Sequence, residues 1–375
     1  MTPTAVQLEV PFVDLKAQYN SIKEEVLDTI RRVLDSGHFV GGEYVEKFES
    51  EFARFTGAKY AVGVSSGTSA LELALKAANI GPGNEVIVPA NSFFATAEAV
   101  SNIGAVPVFS DVDAKTFHLD IAGVERRITK KTRAVIPVHL YGYAMDLTEL
   151  EKLCARHGLE LIEDAAQAHG VGRNGAPVGA SGRLTCFSFY PGKNLGAYGD
   201  AGAVTCNDPQ RVQSLRVLRD HGSPAKYRHS VIGTNARLDA VQAGILSVKL
   251  PYLNGWNGLR VSHAKRYAAA FAGSQVIAPT VPADGQHNFH LFVVRVAGRD
   301  GLKDRLQKAG IQTGIHYPVP LHLTDAYQAL GYPKAGSMPV TEKLAGEILS
   351  LPMYPELGRE QIDYVVQTVR EFSAL

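Results

Sequence analysis

Tyr60-Ala61-Val62-Gly63-Val64-Ser65-Ser66-Gly67-Thr68-Ser69-Ala70 changes period halfway along. Tyr60–Val64 has the length and apolar character of a strand. Ser65-Ser66-Gly67 reads as a turn, and residues Thr68–Ala78 carry the spacing of a helix. A strand that feeds a helix through a glycine turn is the repeating unit of an α/β sheet, and the unit recurs outward from this point. Val86–Val88 and Val106–Phe109 are strand-like, with a helical stretch from Ala95 to about Asn102 between them. Ala134–Val138, the helical Leu147–His157 and the strand-like Leu159–Ile162 run the cycle again. Strand, crossover helix, strand predicts an α/β fold with a mostly parallel sheet flanked by helices. Upstream, Ser21-Ile22-Lys23-Glu24 reads as a capping box. It would open a helix with Ile22, Val26, Ile30, Val33 and Leu34 on one face, closed by Gly37. Val45, Phe48, Phe52 and Phe55 mark a second helix.

The pattern changes near residue 250. Leu238–Leu250 predicts a helix ending at Pro251, and Trp256–Ala272 another. His290–Val296 is strand-like, and Leu302–Ala309, Val340–Leu349 and Gln361–Phe372 are helical. We therefore expect a large domain over 1–250 and a smaller α+β domain over 251–375. The 375 residues are 45% hydrophobic and 20% charged, ordinary globular usage that excludes a disordered or collagen-like chain. Lys and Arg number 38 against 37 Asp and Glu, so the net charge of +1 offers no field for nucleic acid or an anionic membrane. No apolar run approaches the roughly 18 residues of a membrane helix. Three scattered cysteines form neither a disulfide framework nor a metal knuckle. With no signal-like segment at residues 1–10, the expectation is a cytoplasmic protein.

Four features fall at strand ends, where open α/β sheets bind ligands. Val64–Ala70 offers helix N-terminal amides and hydroxyls suited to a phosphate, though any capped helix looks alike. It is neither a Walker loop nor a dinucleotide fingerprint. Glu163-Asp164-Ala165-Ala166-Gln167-Ala168-His169 places an acid where burial demands a cationic or N–H partner. Phe187-Ser188-Phe189-Tyr190-Pro191-Gly192-Lys193-Asn194-Leu195-Gly196 holds one lysine between two glycines, able to serve as an amine nucleophile if desolvated. Asn91-Ser92-Phe93-Phe94 offers an aromatic that either stacks on a flat ring or fills the core. Phosphate cup, aromatic, acid and lysine in this order are what pyridoxal phosphate requires. His316 and His322, separated by a segment with two prolines, do not make a metal pair, and His287 and His290 are equally weak, so no metal is expected.

With those residues in view, the chain resembles the DegT/DnrJ/EryC1/StrS sugar aminotransferases. The resemblance runs from Phe12-Val13-Asp14-Leu15 to Ser350-Leu351-Pro352-Met353-Tyr354. It is most specific at Ile162–His169, Ser188–Gly196 and Gly233–Asp239. It implies the fold type I architecture, pyridoxal 5'-phosphate as cofactor and Lys193 as the Schiff-base lysine and proton shuttle. By the same resemblance Asp164 pairs with the pyridine nitrogen, Gln167 lies beside the ring and Phe93 stacks on it. Gly67, Thr68 and Ser188 hold the phosphate. Asn235 reaches the phosphate of the partner subunit, which implies a homodimer with shared sites. Tyr190, Arg237, His316 and Tyr317 line the sugar end. Ser66-Gly67-Thr68-Ser69 departs from the family's Asn-Gly-Thr-Asp at the cup, Ser92 stands for its Thr, and Phe94 competes with Phe93 for the stacking role.

The implied reaction moves an amino group from L-glutamate to a nucleotide-linked keto sugar. Leu218–Ser223, Lys226-Tyr227, Asn235–Asp239 and Ile315–His322 look most like the branch that aminates C3 of dTDP-linked 3-keto-6-deoxy hexoses. UDP-linked 3-keto sugars come second and C4 amination third. A dehydratase of the same fold carries histidine in place of Lys193. A non-catalytic regulator would not need the intact Lys193, Asp164 and Gln167.

Overall fold

The structure, a computed structural model, describes residues 8–282 and 285–373. Four strands lie side by side in the order Val106–Ser110, Glu85–Pro89, Thr132–Val135 and Glu160–Leu161, all parallel. The last continues into Glu163–Asp164, with a parallel bridge from Val138 to Asp164. Thr185–Ser188 adds in parallel to Glu163–Asp164, Gly202–Cys206 adds antiparallel, and Tyr60–Val64 closes the edge antiparallel to that strand. Only Gly202–Cys206 therefore runs against the others. Val62, Val64, Val86, Ile87, Val88, Val135 and Val204 are buried, as the strands of a sheet covered on both faces must be.

The helix Gly67–Ala77 shows why the quoted stretch folds as it does. Ser66 caps it, its Oγ accepting from Ser69 N at 3.1 Å. Leu71, Leu73, Ala74 and Leu75 then turn into the core. A Cβ on Gly67 would lie 2.5 Å from the Ser188 Cβ, and one on Gly202 would lie 2.3 Å from the Ser66 carbonyl oxygen. The turn thus sits directly against two neighbouring strands.

A separate core gathers Tyr267, Phe271, Phe292, Val294, Leu302, Leu349 and Val365 around the short sheet Phe292–Arg295 with Ile348–Leu351. Val10 belongs to this core and bridges in parallel to Ile311. Among the described residues no helix is long and apolar enough to cross a membrane.

Some expectations are corrected. Ser21 makes no capping box. It ends a preceding helix, Leu15–Ser21, and its hydroxyl donates to the Gln18 carbonyl, so Lys23–Ser36 starts without a side-chain cap. The helix read to Pro251 spans Ala240–Lys249. A 3₁₀ turn, Leu250–Tyr252, carries it straight into Leu253–Phe271, because proline is tolerated within the first turn of a helix, where its missing N–H is not needed. The helical stretch Val340–Leu349 is really the helix Pro339–Glu347 followed by the strand Ile348–Leu351, whose apolar residues pair with Phe292–Arg295. The helix Pro209–Arg219 went unread.

Gly202→Ala should lower the unfolding free energy by about 1–3 kcal/mol, since its Cβ meets backbone that cannot retreat. Urea denaturation of the two proteins measures this. An unchanged midpoint would show that the strand and the turn are not so tightly apposed.

Candidate active site

A cavity of about 670 Å³ opens where these strands end. Gly67, Thr68 and Ser188 line one part of it, and Asp164, Gln167 and Lys193 another. Phe93, Tyr190, His316 and Tyr317 also stand on its walls. Asn235 and Arg237 are not on those walls. Asn235 is exposed and bridges to Asp220, whose carboxylate accepts from Arg237 Nη1 at 2.8 Å. Nearby in sequence, Tyr227, Val231 and Ile232 are exposed. So are Phe39 and Val40, the latter bridged to Asp239.

Glu163 and Asp164 are adjacent, both buried, and held in opposite ways. Burial would raise the Glu163 pKa. His139, Ser181 and Arg183, all bonded to it, more than reverse that. Asp164 has Thr96 Oγ1 on Oδ2 at 2.8 Å and Ala166 N on Oδ1 at 3.1 Å. Burial still raises its pKa, because those bonds and the charge of Lys193 offset only part of the cost. No salt bridge reaches it among the described residues. A ring N–H carrying positive charge is the partner that would hold this carboxylate ionised.

Lys193 is half-buried, with its ammonium withdrawn from solvent. Desolvation brings its pKa down from 10.5 to about 8, against the pull of Asp164. A lysine so shifted has a neutral fraction at neutral pH far above that of an exposed lysine. The Gln167 Oε1 accepts from Tyr141 N at 2.5 Å, and its Nε2 donates to the Tyr317 hydroxyl at 3.2 Å. Tyr141 adopts φ 61°, a strained conformation for a non-glycine residue, and this aims its N–H at Gln167. His316 Nδ1 lies 2.8 Å from Ser350 Oγ. Burial, then the charge of Lys193, brings its pKa to about 4, so its ring is neutral.

Phe93 is 54% exposed, with its ring centroid 5.5 Å from that of Tyr317. Phe94 turns instead into the core, 5.6 Å from Tyr327. Only Phe93 lines the cavity. At the cup, Ser66 Oγ satisfies Ser69 N. The Gly67 and Thr68 amides have no acceptor within the helix, as at any helix N-terminus. With the Ser188 hydroxyl beside them, they fit a dianionic phosphate. The cup, the uncompensated carboxylate and the low-pKa lysine therefore fit pyridoxal phosphate, drawn from one cavity.

Sequence reasoning missed Thr96, which also shares a 2.7 Å hydrogen bond with Ser92. The Ser92–Thr96 spacing of four was its only signal. It missed Tyr141 and two further wall residues, Arg260 and His290. The buried Arg260 Nη1 donates to the carbonyls of Phe289, His290 and Met353. Among the described residues no group of three or more His, Cys, Asp or Glu could hold a metal ion. His322 instead contacts Glu342 at 3.1 Å.

Sheet, cup, acid and lysine together define a fold type I, pyridoxal phosphate-dependent enzyme. The chain belongs to the DegT/DnrJ/EryC1/StrS aminotransferase family, which matches residues 20–370. It is 46% identical over 374 residues to the dTDP-3-amino-3,4,6-trideoxy-alpha-D-glucose transaminase of Streptomyces venezuelae, covering 100% of this chain and 98% of that protein. It is 45% identical over 363 residues to the UDP-N-acetyl-3-dehydro-alpha-D-glucosamine 3-aminotransferase of Acidithiobacillus ferrooxidans, covering 96% and 97%. Its fold superposes with a TM-score of 0.96 on S. venezuelae DesV in complex with ketimine intermediate, at 46% identity, over 98% of this chain and 99% of that one. The protein is a pyridoxal phosphate-dependent aminotransferase.

Lys193 gives a pH signature. The folded protein binds its proton only below about 8, whereas the unfolded chain keeps it up to 10.5. Between those values the unfolded state holds more protons, so stability rises with pH there. Below the window the buried ammonium is a fixed cost. Cofactor-free Lys193→Met should therefore exceed the parent at pH 7 by on the order of 3 kcal/mol, with the gap closing as pH rises from 8 to 10.5. Urea unfolding of both proteins at several pH values checks this. A gap that ignores pH would mean that Lys193 is not desolvated.

Proposed function

We propose that this aminotransferase moves an amino group from L-glutamate to the C3 carbonyl of a nucleotide-linked 3-keto-6-deoxy hexose, carried on dTDP. The observation that carries the reading is the meeting of Lys193 and Asp164 in one cavity with the open helix N-terminus. The carbon is supported by the names of the two curated relatives, which both place the amine at C3. Their nucleotides differ, so a UDP-linked 3-keto sugar is the second reading.

Bound pyridoxal phosphate supplies an aldehyde that carries the amine and a ring that takes up carbanion charge. Lys193 Nζ, its pKa lowered to about 8, would be the amine that holds the aldehyde and would later carry the proton. Asp164 would accept the pyridine N–H and keep that nitrogen charged. Gln167, clamped between Tyr141 N and the Tyr317 hydroxyl, and the exposed Phe93 would hold the ring. Gly67, Thr68 and Ser188 would hold the phosphate, and Tyr190, His316 and Tyr317 would orient the sugar. Asn235 and Arg237, which do not line their own cavity, act in that of a second copy. The exposed Phe39, Val40, Tyr227, Val231 and Ile232 support a dimer that buries this face.

Turnover of a panel of dTDP- and UDP-linked 3-keto and 4-keto sugars with L-glutamate tests the substrate. The 3-keto dTDP sugar should give the highest kcat/KM. A preference for 4-keto sugars would overturn the carbon assignment. Lys193→Ala should abolish transamination. Asp164→Asn should cost several powers of ten in kcat while folding normally. A loss under tenfold, about 1.4 kcal/mol of barrier, would remove Asp164 from the role.

The shared site has its own test. Asn235→Asp places a negative charge beside a phosphate. Mixed dimers of Lys193→Ala with Asn235→Asp should regain activity, because one site receives both changes and the other receives neither. No recovery after verified subunit exchange would refute the composite site.

A further inference from the structure

A buried amide relay behind Lys193 fixes the state of a histidine on the cavity wall. The relay starts at the carbonyl of His169, which can only accept. Asn257 Nδ2 donates to it at 2.9 Å, so Asn257 Oδ1 points the other way. That oxygen accepts from Asn194 Nδ2 at 2.8 Å, and the same amide nitrogen lies 3.3 Å from the Asn288 carbonyl. Asn194 Oδ1 is then the end turned toward His290, 3.1 Å from its Nδ1. An amide oxygen cannot donate, so His290 Nδ1 carries the proton.

Three further facts complete the assignment. Asn194, Asn257 and Asn288 are all buried, so no solvent competes for these bonds. Asn288 Oδ1 takes the backbone N–H of His290 at 2.9 Å, while its Nδ2 donates to the carbonyls of Gln167 and His169. The histidine is thereby tied to the turn that carries Gln167. Burial, then the charges of Lys193 and Arg260, holds the imidazole well below its usual 6.5. A neutral ring with its proton on Nδ1 has a bare lone pair on Nε2. Among the described residues no donor is bonded to that atom, and His290 lines the cavity with Lys193.

We propose that His290 is a substrate-binding residue whose Nε2 accepts a hydrogen bond from an N–H or O–H group entering the cavity, with the Asn194–Asn257 relay holding the ring in that tautomer. The group is either the amine of the amino donor or a hydroxyl of the keto sugar, and the two half-reactions separate them.

Two measurements test this on the holoenzyme. Ring-¹⁵N histidine NMR, with the His290 signals assigned by difference against His290→Phe or, should that variant not fold, Asn194→Leu, should show the Nδ1–H tautomer and no titration from pH 6 to 8. An Nε2–H tautomer or a charged ring would overturn the proposal. In the half-reactions, His290→Phe should raise KM about tenfold for the substrate it contacts and leave the other within about threefold. His290→Gln, which keeps an acceptor, should stay nearer the parent. Asn194→Leu should disturb the tautomer signal and reproduce the selective rise in KM. Unchanged KM for both substrates in His290→Phe would also overturn the proposal. The kinetic arm rests on the two-substrate reaction proposed above, but the NMR arm does not. If the parent turns over none of the panel, the substrate reading fails while the tautomer result still decides the histidine.

Discussion

Withdrawal of two opposite charges from water governs this site. Asp164 is buried and Lys193 half-buried and desolvated, and neither is neutralised by a salt bridge in the described chain. Burial pushes the carboxyl up and the ammonium down, so each is left in a state that a charged aromatic aldehyde would relieve. Cofactor affinity and chemical reactivity thus share one physical origin. The neighbouring Glu163 shows the contrast. Equally buried but fully bonded, it is a structural carboxylate on the other side of the same strand. Alternation along an extended chain gives two adjacent acids two unrelated fates.

The scaffold keeps those charges buried by close approach of backbone. Gly67 against Ser188 and Gly202 against Ser66 leave no room for a side chain. Gln167 is held at both ends of its amide, one of them by a residue in a strained backbone conformation. Strain of this kind persists only where the surroundings over-determine it. Here the zipped segments 139–144 and 286–291 do so, through Asn288 N to Gly142 O and Ala144 N to Gln286 O.

What the sequence made legible was local. Asp164, Ser188 and Lys193 each follow an apolar run, and strand-then-turn is visible in one dimension. Thr96, Tyr141 and His290 were not legible, because their importance lies in contacts that cross the chain. Thr96 meets Asp164 across 68 residues, and His290 meets Asn194 across 96. Read alone, His290 was only a poor metal ligand. The capping box failed for a related reason. The Ser21 hydroxyl had a nearer carbonyl, at Gln18, in a helix that the pattern did not reveal. Ile348 and Leu349 fit a helical period or a strand equally well until Phe292–Arg295 supplied a partner.

The single antiparallel strand has a consequence for how the protein is made. Tyr60–Val64 joins the sheet only by pairing with Gly202–Cys206, Val64 opposite Gly202. The turn that follows Val64 is therefore anchored to the lysine-bearing wall only after the chain has been synthesised past residue 206. Such distant pairings form late, since closing the intervening loop costs entropy before any contact compensates. A nascent chain that has completed its first four parallel strands still lacks a cup for the phosphate. The phosphate cup is thus complete only when the sheet is, because its turn and the strand ending in Ser188 are brought together by that last pairing.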